Sequence, residues 1–283
     1  MRLPRFHLVT CEHGGNRIPA RYAALFHDAG PLLRSHRGYD RGALRMARAL
    51  ARILAAPLQA STISRLLIDL NRSPDRPDLY SEFTRNLPQD VRDEIFECCY
   101  RSYRTRVETA VAQARAAGKD VLHVSCHSFT PVLDGEVRTV DVGLLYDPAR
   151  ANEAALCRAW RAALRQRMPR LRVRMNEPYA GIADGLTTTL RARHSDGYAG
   201  IELEINQKLM RSPQAWAALR LAIAHALWPP RSRKHNNPDR VFCRFGRHVL
   251  IQRMSGTSTP AHHRSPRTKP GPRMRNRFNQ CRP

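Results

Sequence analysis

Short runs rich in Val, Ile and Leu recur along the chain and alternate with longer segments whose apolar residues fall every three or four positions. This alternation constrains the fold more than any other feature, because strand-length and helix-length apolar patterns taken in turn are the signature of an α/β domain. The strand candidates are "FHLVTC" (6–11), "STISRLLIDL" (61–70), "DVLHVSC" (120–126), "VDVGLLY" (140–146), "RVRM" (172–175) and "AGIELEI" (199–205). Helices are expected over 40–55, 88–117, 151–168, 183–193 and 212–227. The second of these opens at Pro88 and stops before Gly118, residues suited to a helix start and to the position just past its end.

Charge divides the chain in two. Of a formal net charge of +24, residues 229–283 carry fourteen Lys/Arg against the single acid Asp239. The apolar periodicity fades there, and "WPPRSR" at 228–233 reads as the boundary between a globular domain, 1–228, and a basic, disordered segment, 229–283. Any contact with nucleic acid is expected only through that segment. Seven cysteines without a CxxC pair, an N-terminal "MRLPRFHLVT" lacking the apolar core of a signal peptide, and no stretch long enough to span a bilayer point to the cytoplasm and to no membrane partner. The oligomeric state is left open.

In open α/β sheets ligands bind beyond the C-terminal ends of the strands. Those ends carry Glu12 and His13, then Asp69, Asn71 and Arg72, then His127 and Ser128, with Glu202 and Glu204 inside the last strand. Two histidines at separate strand ends suit a metal that takes three protein groups of the His/Asp/Glu kind. Strand alternation puts Glu202 and Glu204 on one face, where two carboxylates need partners. Cys11 and Cys126 read as small core residues.

Six motifs occur in the order in which similar ones occur in the N-formylglutamate amidohydrolase family: "CEHGGNRIP", "GYDRGALRMARALA", "LLIDLNRSP", "HVSCHSF", "NEPYAGI" and "GIELEINQ". The resemblance covers about residues 6–227, and "DLNR", a strand-end His and "GIE" also look like the aspartoacylase branch of the zinc carboxypeptidase superfamily. It implies a mixed, largely parallel central sheet of the eight-stranded type flanked by helices, in the zinc carboxypeptidase-like, phosphorylase/hydrolase-like manner, with one catalytic Zn2+ per chain.

Carried onto this sequence, the resemblance makes His13 and His127 metal ligands. The aspartoacylase-like pattern has a Glu three residues after the first His where this chain has Asn16, so the third ligand is open. Asp40 is put forward, with an N-cap of the following helix as its alternative reading; Glu12 is a further option. Glu202 resembles the catalytic base and is preferred to Glu204, which would support a ligand or a substrate amine. Arg72 resembles the arginine that grips a substrate carboxylate or the developing oxyanion, with Asn71 beside it. Arg65, Arg138, Arg191 and Arg193 are candidates for a second substrate carboxylate, and the loop with Tyr179 and Gly181 is expected near the pocket. The implied reaction is zinc-dependent hydrolysis of an N-acyl amino acid, N-formyl-L-glutamate giving formate and L-glutamate, as in histidine breakdown. The alternatives are deacylation of another N-acyl amino acid, a carboxypeptidase-like cleavage, or an inactive basic nucleic-acid-binding protein on the same fold.

Overall fold

A computed structural model describes residues 5–227 of the chain. The basic segment 229–283 and the boundary at 228–233 lie outside the described residues. Eight strands are present among them: β1 (Arg5–Cys11), β2 (Leu58–Ala60), β3 (Asp120–Phe129), β4 (Val132–Leu133), β5 (Glu136–Val137), β6 (Val142–Leu145), β7 (Val173–Met175) and β8 (Tyr198–Asn206). The α-helices are α1 (Gly30–Leu33), α2 (Ala43–Leu54), α3 (Gln89–Ile95), α4 (Ser102–Ala116), α5 (Ala151–Arg167), α6 (Leu186–Arg193) and α7 (Pro213–Leu227). Six strands form the central sheet in the order β2-β1-β3-β8-β6-β7, and β4 and β5 form a separate hairpin. Every neighbouring pair of the central sheet is parallel except β6 against β8, so the sheet is mixed and largely parallel.

The two faces of this sheet differ because its side chains alternate. Val9 and Cys11, Leu122, Val124 and Cys126, and Ile201, Leu203 and Ile205 point to one face, where they pack with α2, α5 and α7. Leu8, Val121 and Tyr198 point to the other, under α4 and α6. Toward the C-terminal ends of the same strands that second face turns polar, with Thr10, His123, Ser125, His127 and Glu204 all buried. The chain leaves β1 for β2 on one side and returns to β3 on the other, so the strand order reverses between β1 and β3. A crevice at such a point is where ligands of open α/β sheets sit, and it lies where those polar residues collect.

Five of the six strand candidates form as expected. The run 61–70 does not. β2 precedes it, and the only bridge pairing in the run is between Arg17 and Ile63. Its serines are the cause: Ser61 Oγ accepts from Ile63 N–H at 3.1 Å and Ser64 Oγ from Leu66 N–H at 3.3 Å, local bonds that turn the backbone out of the ladder. Leu66, Leu67, Ile68 and Leu70 are nonetheless buried in the second core. The implied eight-stranded sheet is therefore six strands wide among the described residues. The helix expected over 88–117 is continuous but passes through a π-helical stretch, Phe96–Arg101, between α3 and α4. The helix expected from residue 40 begins at Ala43 behind Gly42, whose φ of +84° suits glycine, and Asp40 gives it no side-chain cap.

A buried ion pair ties the second layer to the sheet. Arg191 of α6 donates through Nε to Glu153 Oε1 of α5 at 3.1 Å and through its two terminal nitrogens to the carbonyls of Gly181 and Gly200 at 2.6 and 2.7 Å. Glu153 Oε1 also accepts from Gly200 N–H at 2.9 Å. Arg191 is thus structural rather than a clamp for substrate. Removing it as Arg191→Ala leaves a buried carboxylate without its cation, and denaturant unfolding should show a loss of about 3–5 kcal/mol; a loss below about 1 kcal/mol would contradict this role.

Candidate metal and substrate site

At the end of β1 the chain turns through Glu12, His13, Gly14 and Gly15 against the 61–62 backbone. A Cβ at Gly14 would lie 2.7 Å from the carbonyl oxygen of Ser61, and one at Gly15 would lie 2.7 Å from that of Thr62. Only glycine allows this approach. The result aims His13 into the crevice. His13 Nε2–H donates to Asp69 Oδ1 at 2.7 Å, and its buried Nδ1 has no hydrogen-bond partner.

His127, near the end of β3, mirrors this arrangement. Its Nδ1 lies 2.8 Å from Asp40 Oδ2, while its Nε2 faces Ser125 Oγ at 2.8 Å and Glu12 Oε2 at 3.2 Å. Asp40 Oδ2 is also 3.5 Å from His13 Nδ1. Ligand atoms of His13, Asp40 and His127 lie within 4.8 Å of one another, and all three residues are buried. Two imidazole nitrogens and one carboxylate thus converge, and the opposite nitrogen of each ring faces a second carboxylate, Asp69 behind His13 and Glu12 behind His127. Carboxylate-backed histidines are the usual surroundings of a bound metal, and the orphaned Nδ1 of His13 is a donor atom that no protein group uses. These residues fit a metal ion.

The electrostatics are those of a cluster holding its charges by mutual contact. Burial alone would raise the Asp40 carboxyl, but the charges and hydrogen bonds of His13 and His127 outweigh it and hold it well below the usual range. Burial would lower His127, yet hydrogen bonds to Asp40 and Glu12 raise it well above 6.5. A ligating imidazole must give up its proton, so a metal bound here would displace one. Burial, with the nearby charges of Asp40 and Glu202, pushes Glu204 up to about 8 against the pull of His127. Burial raises the thiols of Cys11 and Cys126, which pack in the core behind the site and are not ligands.

Glu204 sits opposite His127 in the β3–β8 register, and Glu202 opposite Ser125. Glu204 is buried with Oε2 unpartnered, whereas Glu202 accepts a hydrogen bond from Thr187 Oγ1 at 2.8 Å. Both line a cavity of about 310 Å³ together with His13, Asp40, His127, Asn71, Arg72 and Tyr179. Eight residues singled out in the sequence, His13, Asp40, Asn71, Arg72, His127, Tyr179, Glu202 and Glu204, thus line one cavity, whereas Glu12, Arg138, Arg191 and Arg193 do not. Asn71 Oδ1 accepts from Leu186 N–H at 2.8 Å, fixing α6 to this wall. Arg72 has its Nε 3.0 Å from Asp78 Oδ2. Tyr179 is half exposed and its hydroxyl accepts from Arg138 at 2.8 Å.

Other expectations change in detail. Glu12 is not part of the converging group; it is fully buried behind His127, because the strand ends before it and the turn swings it under β3. Arg65 lines the cavity but is bound to Asp69 Oδ2 through two nitrogens, at 2.6 and 3.1 Å, and so steadies the carboxylate behind His13. Arg193 pairs with Glu108 at 2.6 Å, away from the cavity lining.

Sequence reasoning missed the support beneath the histidines. Tyr103 donates to Glu12 Oε1 at 2.9 Å, Tyr100 donates to the carbonyl of Arg72 at 2.6 Å, and Arg104 donates to the carbonyl of Leu70 at 3.3 Å. These residues, three and four apart across the π-helical stretch and the start of α4, share one helical face. That single face braces both backing carboxylates, Glu12 directly and Asp69 through the 69–73 loop. Ser125 was legible, since it alternates with His127 on the polar side of β3; Tyr103 left no local signal. Tyr103→Phe and Asp69→Asn should each weaken metal binding about 10- to 100-fold in calorimetric titrations, and unchanged affinity in both would contradict the bracing.

The model of the N-formylglutamate amidohydrolase family matches residues 7–211. Among solved structures, gene product Atu2144 from Agrobacterium tumefaciens is 33% identical and aligns over 78% of this chain and 88% of its own, with a TM-score of 0.68. N-formylglutamate amidohydrolase from Ralstonia eutropha JMP134 shares the fold at 18% identity, over 80% of this chain and 92% of its own, with a TM-score of 0.58. A search of curated proteins gives no match.

Proposed function

The chain belongs to the N-formylglutamate amidohydrolase family, and from that premise we propose that it is a zinc-dependent hydrolase of the amide bond of an N-acyl amino acid, with N-formyl-L-glutamate as its substrate. The observation that carries the reading is the convergence of His13, Asp40 and His127 with a carboxylate behind each imidazole. Nitrogen and oxygen donors of this kind suit zinc, with room left for exchangeable ligands. Bound there, zinc supplies Lewis acidity toward the scissile carbonyl and makes water a better nucleophile.

The chain's own groups do the rest. One carboxylate takes a proton from the attacking water and returns it to the leaving amine nitrogen. The "GIE" resemblance favours Glu202 for this step, while the geometry favours Glu204: it neighbours His127 in the ladder and its buried Oε2 is unpartnered. Glu202, held through one oxygen by Thr187, then faces the substrate with Asn71 and accepts from the amide N–H. Arg72 offers a guanidinium fork to a substrate carboxylate, which replaces Asp78 as its partner. Tyr179 closes the outer side of the cavity.

The direct test is formate release from N-formyl-L-glutamate by the full chain, stripped with a chelator and then given zinc. Activity should vanish and return. A folded, zinc-loaded protein that releases no formate would reject this substrate in favour of another N-acyl amino acid. Glu204→Gln should retain zinc and lower turnover by about 10²- to 10⁴-fold; full turnover in that variant, with the loss found in Glu202→Gln instead, would return the base to Glu202.

A further inference from the structure

The acids of this chain are segregated. No Asp or Glu occurs from Arg41 to Ile68, nor from Ile205 to Leu227. Those two stretches contain α2 and α7, which lie together on the apolar face of the sheet. Their outer surface carries Arg45, Arg48 and Arg52, all exposed and three or four residues apart, so they form one row along α2, with Arg41 exposed in the turn just before the helix. Arg211 is exposed at the approach to α7, and the Arg220 guanidinium lies 5.5 Å above the Trp216 ring.

Among the described residues none of these arginines has a carboxylate partner. Elsewhere several exposed arginines are paired, Arg21 to Glu94, Arg37 to Glu82, Arg101 to Glu97 and Arg193 to Glu108. Like charges at this helical spacing repel, and no acid offsets them. The row borders a groove of about 340 Å³ lined by Tyr39, Arg41, Arg45, Arg48, Met210 and Trp216.

An acid-free row of guanidinium groups beside a groove suits a ligand with regularly repeated anions. Phosphodiesters meet the planar fork of arginine with two parallel hydrogen bonds. A lipid surface would call for exposed apolar anchors as well, and on these two helices only Leu221 is a large exposed hydrophobic residue. We propose that the α2–α7 face is a nucleic-acid-binding surface that takes the phosphate backbone of a duplex without reading its bases. From Arg45 to Arg52 the row runs about 10 Å along the helix, enough to follow consecutive phosphates of one strand.

The test uses the full chain, because its other basic concentration, residues 229–283, must be present in every arm. Anisotropy of a fluorescein-labelled 20-base-pair DNA duplex is followed from 50 to 200 mM KCl for the wild type, for Arg45→Glu/Arg48→Glu/Arg52→Glu, and for the corresponding triple Gln variant. Thermal melting checks the fold of each. Loss of three phosphate contacts should make the slope of log K against log[salt] shallower by about 2 to 3 in both variants, with affinity reduced at least about tenfold at 100 mM KCl. Wild-type affinity and slope in both folded variants would overturn the proposal and assign DNA binding to the rest of the chain. Absence of wild-type binding at 50 mM KCl, or binding only to phosphatidylserine vesicles, would overturn it as well.

Discussion

An imidazole presents one nitrogen reliably to a shared point only when its other nitrogen is pinned. In this fold both histidines meet that condition, His13 through Asp69 and His127 through Ser125 and Glu12, so that both Nδ1 atoms face Asp40. The rest of the architecture can be read as what these contacts require. Asp69 is held by Arg65 and by the 69–73 loop, that loop by Tyr100 and Arg104, and Glu12 by Tyr103. The parallel pairing of β1, β3 and β8 brings the ends of three strands to one level, and the reversal between β1 and β3 opens the crevice there.

Burying so many polar groups is costly unless each is bonded. The second face of the sheet meets that cost by pairing them with one another. Below the site, His123 bridges Thr10 Oγ1 and the Tyr198 hydroxyl at 2.8 and 2.7 Å, and burial pushes its pKa down to about 4, so it stays neutral and structural. Nearer the strand ends the pairing stops being complete, at His13 Nδ1 and Glu204 Oε2. Polar groups that are buried yet unsatisfied call for an explanation. Here they line the cavity in which a metal and a substrate would satisfy them.

The alternation of apolar runs carried most of the fold, because strands of this sheet bury one continuous apolar face and helices bury one stripe. It failed where side chains compete with the ladder, at Ser61 and Ser64, and where local spacing says nothing of distance, as with Tyr103 and Glu12. The residues that meet in the cavity were legible because they sit at or beside strand ends, and topology brings strand ends together without further information. Asp40 could be read as a helix cap or a ligand until its side chain was found on His127 and Arg65 rather than on α2. Arginines were the least legible: Arg65, Arg72, Arg138, Arg191 and Arg193 look alike in sequence, and only their partners separate a brace from a clamp.

His13, His127 and Asp40 are proposed to hold a metal together. X-ray absorption at the zinc edge of the reconstituted chain tests it most directly. One zinc per chain is expected, with two imidazole nitrogens and oxygen ligands at about 2.0–2.2 Å. Sulfur at about 2.3 Å would shift the site to the cysteines, and a folded chain that retains no zinc would contradict the claim outright.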